Sequence, residues 1–281
     1  MITGATEGVG RATAVALGRQ GFRVVLAARD AGKAQAVESE IAAAGGPQAD
    51  HVVVDLASLR DVRALADTFR RRYPRLDVLI NNAGVFLPRR TETADGFETS
   101  YQVNYLSHFL LTHLLMDALE KSTQGRIINL SSSVYAVGRF DVRNLQSEKS
   151  FSVLGTYAAS KLFMLMFTRE LARRLGGTRV TANALHPGIV RTRMMLRAPG
   201  AFRLLSYLSL PFSISPARGA RAAVHLASSP ELAGVSGHYF TRSRRTETRN
   251  VSDTAENRAR LWELSLASLQ ERGASALRQA G

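Results

Sequence analysis

The sequence predicts an α/β fold in which a doubly wound parallel sheet carries helices on both faces, and three observations predict it. Short β-branched runs alternate with longer amphipathic segments along most of the chain. A glycine-rich turn stands directly ahead of the first helical stretch, and an Asn/Gly-rich turn follows a later apolar run. Such turns mark the carboxyl ends of strands in open α/β sheets, where ligands bind. No Pro/Gly/Ser-rich linker and no repeat of solenoid length interrupts the alternation, so residues 1–281 read as a single domain.

The elements follow in order. The glycine turn begins at Thr3 and leaves only Met1 and Ile2 for the strand that should precede it, so the first, central strand is expected to be truncated. The other strands are expected at residues 23–28 (RVVLAA), 51–54 (HVVV), 78–80, 126–130 (RIINL) and 179–185 (RVTANAL). Helical spacing of apolar positions places helices at 10–20, 32–44, 59–73, 97–120, 156–175 and 217–227. The run Leu162-Phe163-Met164-Leu165-Met166-Phe167 is apolar nearly all round its helix, which predicts burial on more than one side.

Composition narrows the function. The chain has no cysteine, which excludes disulfides, thiolate metal sites and a catalytic thiol. No run of about 18 uncharged apolar residues exists, and no secretory signal is visible, so a cytoplasmic protein is expected. The net charge is +14, carried by 33 arginines against four lysines. Those arginines are scattered from Arg11 to Arg278 without aromatic interleaving, which reads as a solvated surface and argues against a nucleic-acid module. His108 and His113 are five apart, off a common helix face, and read as structural; no metal site is expected.

Four groups of residues carry chemistry. Thr3-Gly4-Ala5-Thr6-Glu7-Gly8-Val9-Gly10 supplies glycines where the backbone must turn and a pyrophosphate must come close to a helix N-terminus. Arg29 follows the tip of the second strand and suits the 2′-phosphate of NADP; Asp30 is the competing residue for the ribose hydroxyls of NAD. Asn81-Asn82-Ala83-Gly84 ends the 78–80 strand with small residues, either a ligand crevice or a simple turn. Tyr157 and Lys161 lie one helical turn apart, so the ammonium is expected to lower the phenol pKa; Ser131, Ser132 and Ser133 end the preceding strand.

Together, and in this order, these motifs resemble the short-chain dehydrogenase/reductase family, a Rossmann-like fold. The resemblance runs from Thr3 to about Leu269 and includes the turn His186-Pro187-Gly188-Ile189-Val190-Arg191-Thr192. It implies a catalytic set of Asn104, Ser132, Tyr157 and Lys161: the tyrosine as acid or base, the serine on the substrate oxygen, the lysine on the nicotinamide ribose and Asn104 holding a relay water. Ser132 is chosen because it lies three residues after Asn129. For the cofactor the resemblance implies Gly4, Gly8, Val9 and Gly10 at the pyrophosphate, Arg29 at the 2′-phosphate, Asp55 and Leu56 at the adenine, and Asn82, Ala83 and Gly84 at the adenosine ribose. Tyr157, Lys161, Pro187, Gly188, Val190 and Thr192 would hold the nicotinamide end; Asp55 and Thr192 also read as helix caps. NADP is the expected cofactor, with NAD the alternative.

The interval from Ser132 to Tyr157 is long, and its insertion at 138–149 resembles the retinol dehydrogenase and WW-domain oxidoreductase subgroup, as does the ending from Ser236 to Ser265. That implies an NADP(H)-dependent oxidoreductase interconverting an alcohol and a carbonyl on a small apolar or retinoid-like substrate. The alternative is a non-catalytic NADP-binding regulator. Residues 194–213, rich in methionine, leucine and aromatics, read as a substrate lid, or else as a helix touching a membrane surface peripherally; 241–281 is left as a tail. In the family the helices at 97–120 and 156–175 pack across a dimer axis, which implies a homodimer or homotetramer.

Overall fold

The computed structural model describes residues 1–191 and 213–279, with side chains described through residue 271. Thr192 and the expected lid up to residue 212 therefore lie outside the described residues.

β1 (Ile2–Thr3) is two residues long, yet it lies inside the sheet. Ile2 pairs with Leu26 on one side and with Ile80 on the other. Main-chain bonds from Gly4 to Ala27 and from Ile80 to Met1, both 2.9 Å, extend the pairing past the strand's ends. The truncated strand is thus present and fully covered, Ile2 being 1% exposed.

The alternation then runs as expected, with bounds shifted by a few residues: α1 (Gly8–Arg19), β2 (Val25–Ala28), α2 (Ala31–Ala43), β3 (Asp50–Val53), α3 (Leu59–Arg72) and β4 (Val78–Asn81). After β5 (Arg126–Leu130) come α7 (Val153–Arg174), β6 (Thr181–His186) and α8 (Pro216–Ser228). The strands order as β3-β2-β1-β4-β5-β6-β7-β8, parallel except for β8. Chain order reverses between β1 and β4, and this switch point opens the crevice above the carboxyl ends.

The expected helix at 97–120 is broken into α4 (Thr99–Tyr101), a π-helical turn (Gln102–Leu106), α5 (Ser107–Leu114) and α6 (Met116–Glu120). π turns inside helices gather at functional positions, and this one contains Asn104.

A hairpin that begins just before the part left as a tail, and a long helix within it, complete the chain. β7 (Tyr239–Thr241) and β8 (Arg244–Thr246) form a hairpin whose two turn residues, Arg242 and Ser243, both have positive φ. That turn normally advertises itself by Asn-Gly, which is missing here. The helix α9 (Ala255–Gln279) lies across α5 and α7. Its Trp262 meets Phe109 edge-on at 5.1 Å between centroids, and its Ser265 hydroxyl bonds the Tyr105 hydroxyl at 2.7 Å. Every residue from Leu162 to Phe167 is at most 2% exposed within this one chain. The face expected to meet a partner copy is therefore covered by the chain's own C-terminal helix.

Candidate active site

The site is built at the C-terminal ends of β1, β4 and β5. Gly4 and Gly8 have φ of +63° and +56°, a region that side chains disfavour. A Cβ at Gly10 would lie 2.3 Å from the Gly4 carbonyl oxygen and 2.4 Å from Asn82 Nδ2. Only glycine fits there, and the loop packs directly on the Asn82 turn. Glu7, at the N-cap of α1, makes no side-chain cap bond, and the first turn carries no acidic residue. Its carboxylate is paired with Lys33 at 2.9 Å. The N-terminus of α1 therefore offers main-chain N–H groups and dipole to a phosphate, and the cradle fits a dinucleotide.

Thr3 joins this loop to the turn after β4. Its hydroxyl oxygen accepts from the amides of Asn82 (2.9 Å) and Ala83 (3.0 Å), while Asn82 Nδ2 donates to the carbonyls of Thr3 (2.8 Å) and Gly4 (3.1 Å). The Thr3 hydroxyl also lies 2.9 Å from His108 Nε2 and 3.4 Å from the Ile80 carbonyl; since the Asn104 carbonyl on the other side of the ring can only accept, Nε2 of the neutral ring is the acceptor for Thr3. His108 then carries its own proton on Nδ1 and donates it to the Asn104 carbonyl at 3.3 Å. Burial pushes the His108 pKa down to about 3, so the ring stays neutral.

The Asn104 side chain is held at both ends. Its Oδ1 accepts from the Val85 amide (2.6 Å), and its Nδ2 donates to the Val85 carbonyl (3.0 Å) and the Ser160 hydroxyl (2.9 Å). Gly84 lies beside it: a Cβ there would sit 3.2 Å from Asn104 Oδ1 and 3.4 Å from Lys161 Nζ. Lys161 Nζ donates to the Leu130 carbonyl at 3.0 Å. Ser131 Oγ donates to the Lys161 carbonyl and is buried, whereas Ser132 is half-buried and caps the short 3₁₀ turn Ser133–Val137. Of the two, Ser132 keeps the more accessible hydroxyl. Tyr157 is half-buried, packs edge-on to Phe86 at 5.0 Å, and has Lys161 Nζ 5.7 Å from its ring centroid. A tyrosine and an ammonium thus lie together beside Gly84 and the end of β5, with Ser132 two residues past that strand end.

The short chain dehydrogenase profile matches residues 1–199. Mouse retinol dehydrogenase 14 is 44% identical over 279 residues, covering 94% of this chain and 84% of that protein. The chain belongs to the short-chain dehydrogenase/reductase family. Within that family of oxidoreductases it is retinol dehydrogenase-like. Among solved structures, an uncharacterized protein of Mycobacterium paratuberculosis superposes with a TM-score of 0.76 at 31% identity, covering 96% of this chain and 92% of its own. A short chain dehydrogenase of Shigella flexneri complexed with NADP gives 0.69 at 26% identity, covering 86% and 95%.

The lysine was expected to lower the Tyr157 pKa. Instead, burial pushes Tyr157 up to about 12, with Lys161 facing the Leu130 carbonyl; burial also lowers Lys161 from 10.5 to about 8. Asp30 serves as the N-cap of α2, its Oδ1 accepting from the Lys33 amide at 3.0 Å. Asp55 does not cap α3. It accepts from the Ala57 amide in a local turn, and Ser58 is the cap. Arg29 is exposed at the end of β2, and the carbonyl of Leu56 receives the Ser107 hydroxyl at 2.6 Å. Pro187 and Gly188 follow β6, Gly188 with φ +96° against Ile214. Val190 bridges to Ile214 and lies close to Gly219, where a Cβ would be 2.7 Å from Val190 and 3.4 Å from Val9. That contact unites the two ends of the expected cofactor site.

Thr3's hub, His108, Ser160 and Phe86 escaped the sequence reading as site residues. His108 stands four residues after Asn104, one helical turn, and that spacing was the available signal. No cluster of possible metal ligands occurs among the described residues.

Proposed function

We propose that the chain is an NADP(H)-dependent enzyme interconverting an alcohol and a carbonyl on a small apolar or retinoid-like substrate. The observation that carries this reading is the pairing of Tyr157 and Lys161 beside Gly84, where Lys161 reaches the end of the strand that leads to Ser132. A bound nicotinamide would supply or accept the hydride at the substrate carbon. The chain's own residues do the rest. Ser132 donates a hydrogen bond to the substrate oxygen. Tyr157, protonated at neutral pH because burial raises its pKa, gives that oxygen its proton in reduction and takes it back in oxidation. Lys161, with Asn104 and Gly84 against it, borders the ribose. His108 and Thr3 hold the Asn104 carbonyl and the Asn82 turn in one register.

NADP is favoured over NAD because Arg29 is exposed at the β2 tip while Asp30 caps α2. The retinoid-like class is favoured by the retinol dehydrogenases among the relatives. Since α9 covers the helix face that would otherwise join two copies, this reading takes the active site as complete within one chain, and any homodimer or homotetramer as built on another surface.

The test is NADPH and NADH titration followed by turnover on aliphatic, aromatic and retinoid aldehydes. NADPH binding with turnover that Tyr157→Phe abolishes supports the proposal. Tight binding without turnover on any aldehyde favours the regulator.

A further inference from the structure

Ser132 lies two residues past the end of β5 and opens a short turn that is held from more than one side. The 3₁₀ turn Ser133–Val137 is five residues long, with Ala136 and Val137 exposed. Such short turns are marginal by themselves and leave their last carbonyls without intrahelical donors. Here the Gly138 amide donates to the Tyr135 carbonyl at 3.0 Å, and one side chain from far along the chain adds donors at the end of the turn. Asn250 Nδ2 donates to the carbonyls of Tyr135 (2.8 Å), Ala136 (3.2 Å) and Gly138 (3.0 Å). An amide nitrogen has two protons, so three acceptors must share them.

Asn250 is itself fixed. Its Oδ1 accepts from the Ser252 amide at 2.8 Å, and Ser252 Oγ accepts from the Phe140 amide at 3.3 Å. The adjoining Asp253 carboxylate, 2% exposed, pairs with Arg169 of α7 and with Arg258 of α9 at 3.4 Å. The other side of the turn meets α7 directly: a Cβ at Gly138 would lie 2.6 Å from the carbonyl oxygen of Ala158, the neighbour of Tyr157.

We propose that Asn250 is a positioning residue for the substrate-oxygen site: by fixing residues 133–138 between the C-terminal segment and α7, it holds the Ser132 hydroxyl at a set distance from Tyr157. The proposal rests on the reading of Ser132 as the group that binds the substrate oxygen. It makes catalysis depend on the docking of the C-terminal segment.

The experiment uses the full chain with Asn250→Ala and the near-isosteric Asn250→Asp, whose carboxylate would face three carbonyls. Wild type and Tyr157→Phe are run first on the aldehyde panel, so that failure of the enzyme reading is seen separately. The expected result is a kcat reduced roughly 10- to 100-fold, as for a reacting group displaced by about 1 Å. NADPH Kd should stay within about twofold, since the cradle lies at the other end of the crevice. The primary isotope effect on kcat with deuterated NADPH should rise, because a misplaced serine slows the chemical step. Hydrogen exchange should quicken at the amides of residues 132–140 and not along α7.

A folded Asn250 variant with kcat and isotope effect unchanged would overturn the proposal. So would a loss of kcat matched by equal losses of NADPH affinity and melting temperature, which is the mark of a general structural role. If wild type turns over no aldehyde, the exchange measurement still decides: unchanged protection at 132–140 overturns the brace.

Discussion

Trp262 is the only tryptophan in the chain, and it decides whether α9 holds the face of α5 and α7. It is 6% exposed, lies 4.9 Å from His113, 5.1 Å from Phe109 and 6.0 Å from Phe167 between ring centroids, and has the Arg174 guanidinium 4.3 Å above it. Truncating a buried aromatic to alanine costs about 3–5 kcal/mol. The lost Arg174 stacking, partly exposed, adds about 0.5 kcal/mol. At roughly 2–3 °C per kcal/mol for a chain of this size, Trp262→Ala should melt about 7–15 °C below wild type. The melt is followed by far-ultraviolet circular dichroism, because the variant has no tryptophan to report. NADPH affinity should hold at low temperature, and sedimentation should show the variant associating through the uncovered Phe109 and Phe167. A melting change under about 2 °C would refute the reasoning. So would a wild-type protein whose tryptophan emission shifts red on dilution, since a partner copy rather than α9 would then be covering the face.

Lys161→Met should abolish turnover and yet stabilise the protein by ~1–3 kcal/mol at pH 7. Burial lowers the lysine from 10.5 to about 8, worth at most ~3 kcal/mol at 1.36 kcal/mol per pH unit, less the lost bond to Leu130. The sign is fixed by proton uptake: between pH 8 and 10 the unfolded chain binds the proton more, so wild-type stability rises with pH and the variant's advantage shrinks, as urea titrations at both ends will show. Because Tyr157 is held near 12, carbonyl reduction should stay flat across neutral pH while alcohol oxidation climbs with pH; initial rates in both directions check this. Gly10→Ala should remove measurable NADPH binding, its Cβ falling 2.3 Å from the Gly4 carbonyl, and calorimetric titration reads it directly. Arg29→Asp should weaken NADPH binding more than tenfold and leave NADH within a few fold, by fluorescence titration.

The parts of the site legible in the sequence are those where one residue type answers a local demand. Gly4, Gly8 and Gly10 are readable because the turn and the close approach admit nothing larger, and Tyr157 with Lys161 because helical spacing alone aligns them. The alternation of strands and helices was equally plain, since each apolar run is buried on a sheet face. What stayed hidden depends on residues far apart in the chain. The Thr3–His108–Asn104 chain joins positions over a hundred apart, and its tautomer follows only once the Asn104 carbonyl is seen to face His108 Nδ1. The β7–β8 hairpin escaped because Arg242 and Ser243 adopt positive φ without any turn residue to announce it.

The pKa directions turn on the same division. Spacing puts Lys161 one turn from Tyr157 and so predicts a lowered phenol pKa; burial, which spacing does not reveal, moves both groups the other way. Desolvation wins because the ammonium is aimed at the Leu130 carbonyl, leaving the phenol without a charge to offset its burial. A buried lysine donating to the Leu130 carbonyl is costly to the fold. The proposed chemistry would give that charge its use, which is why the variant that gains stability is expected to be the one that loses turnover.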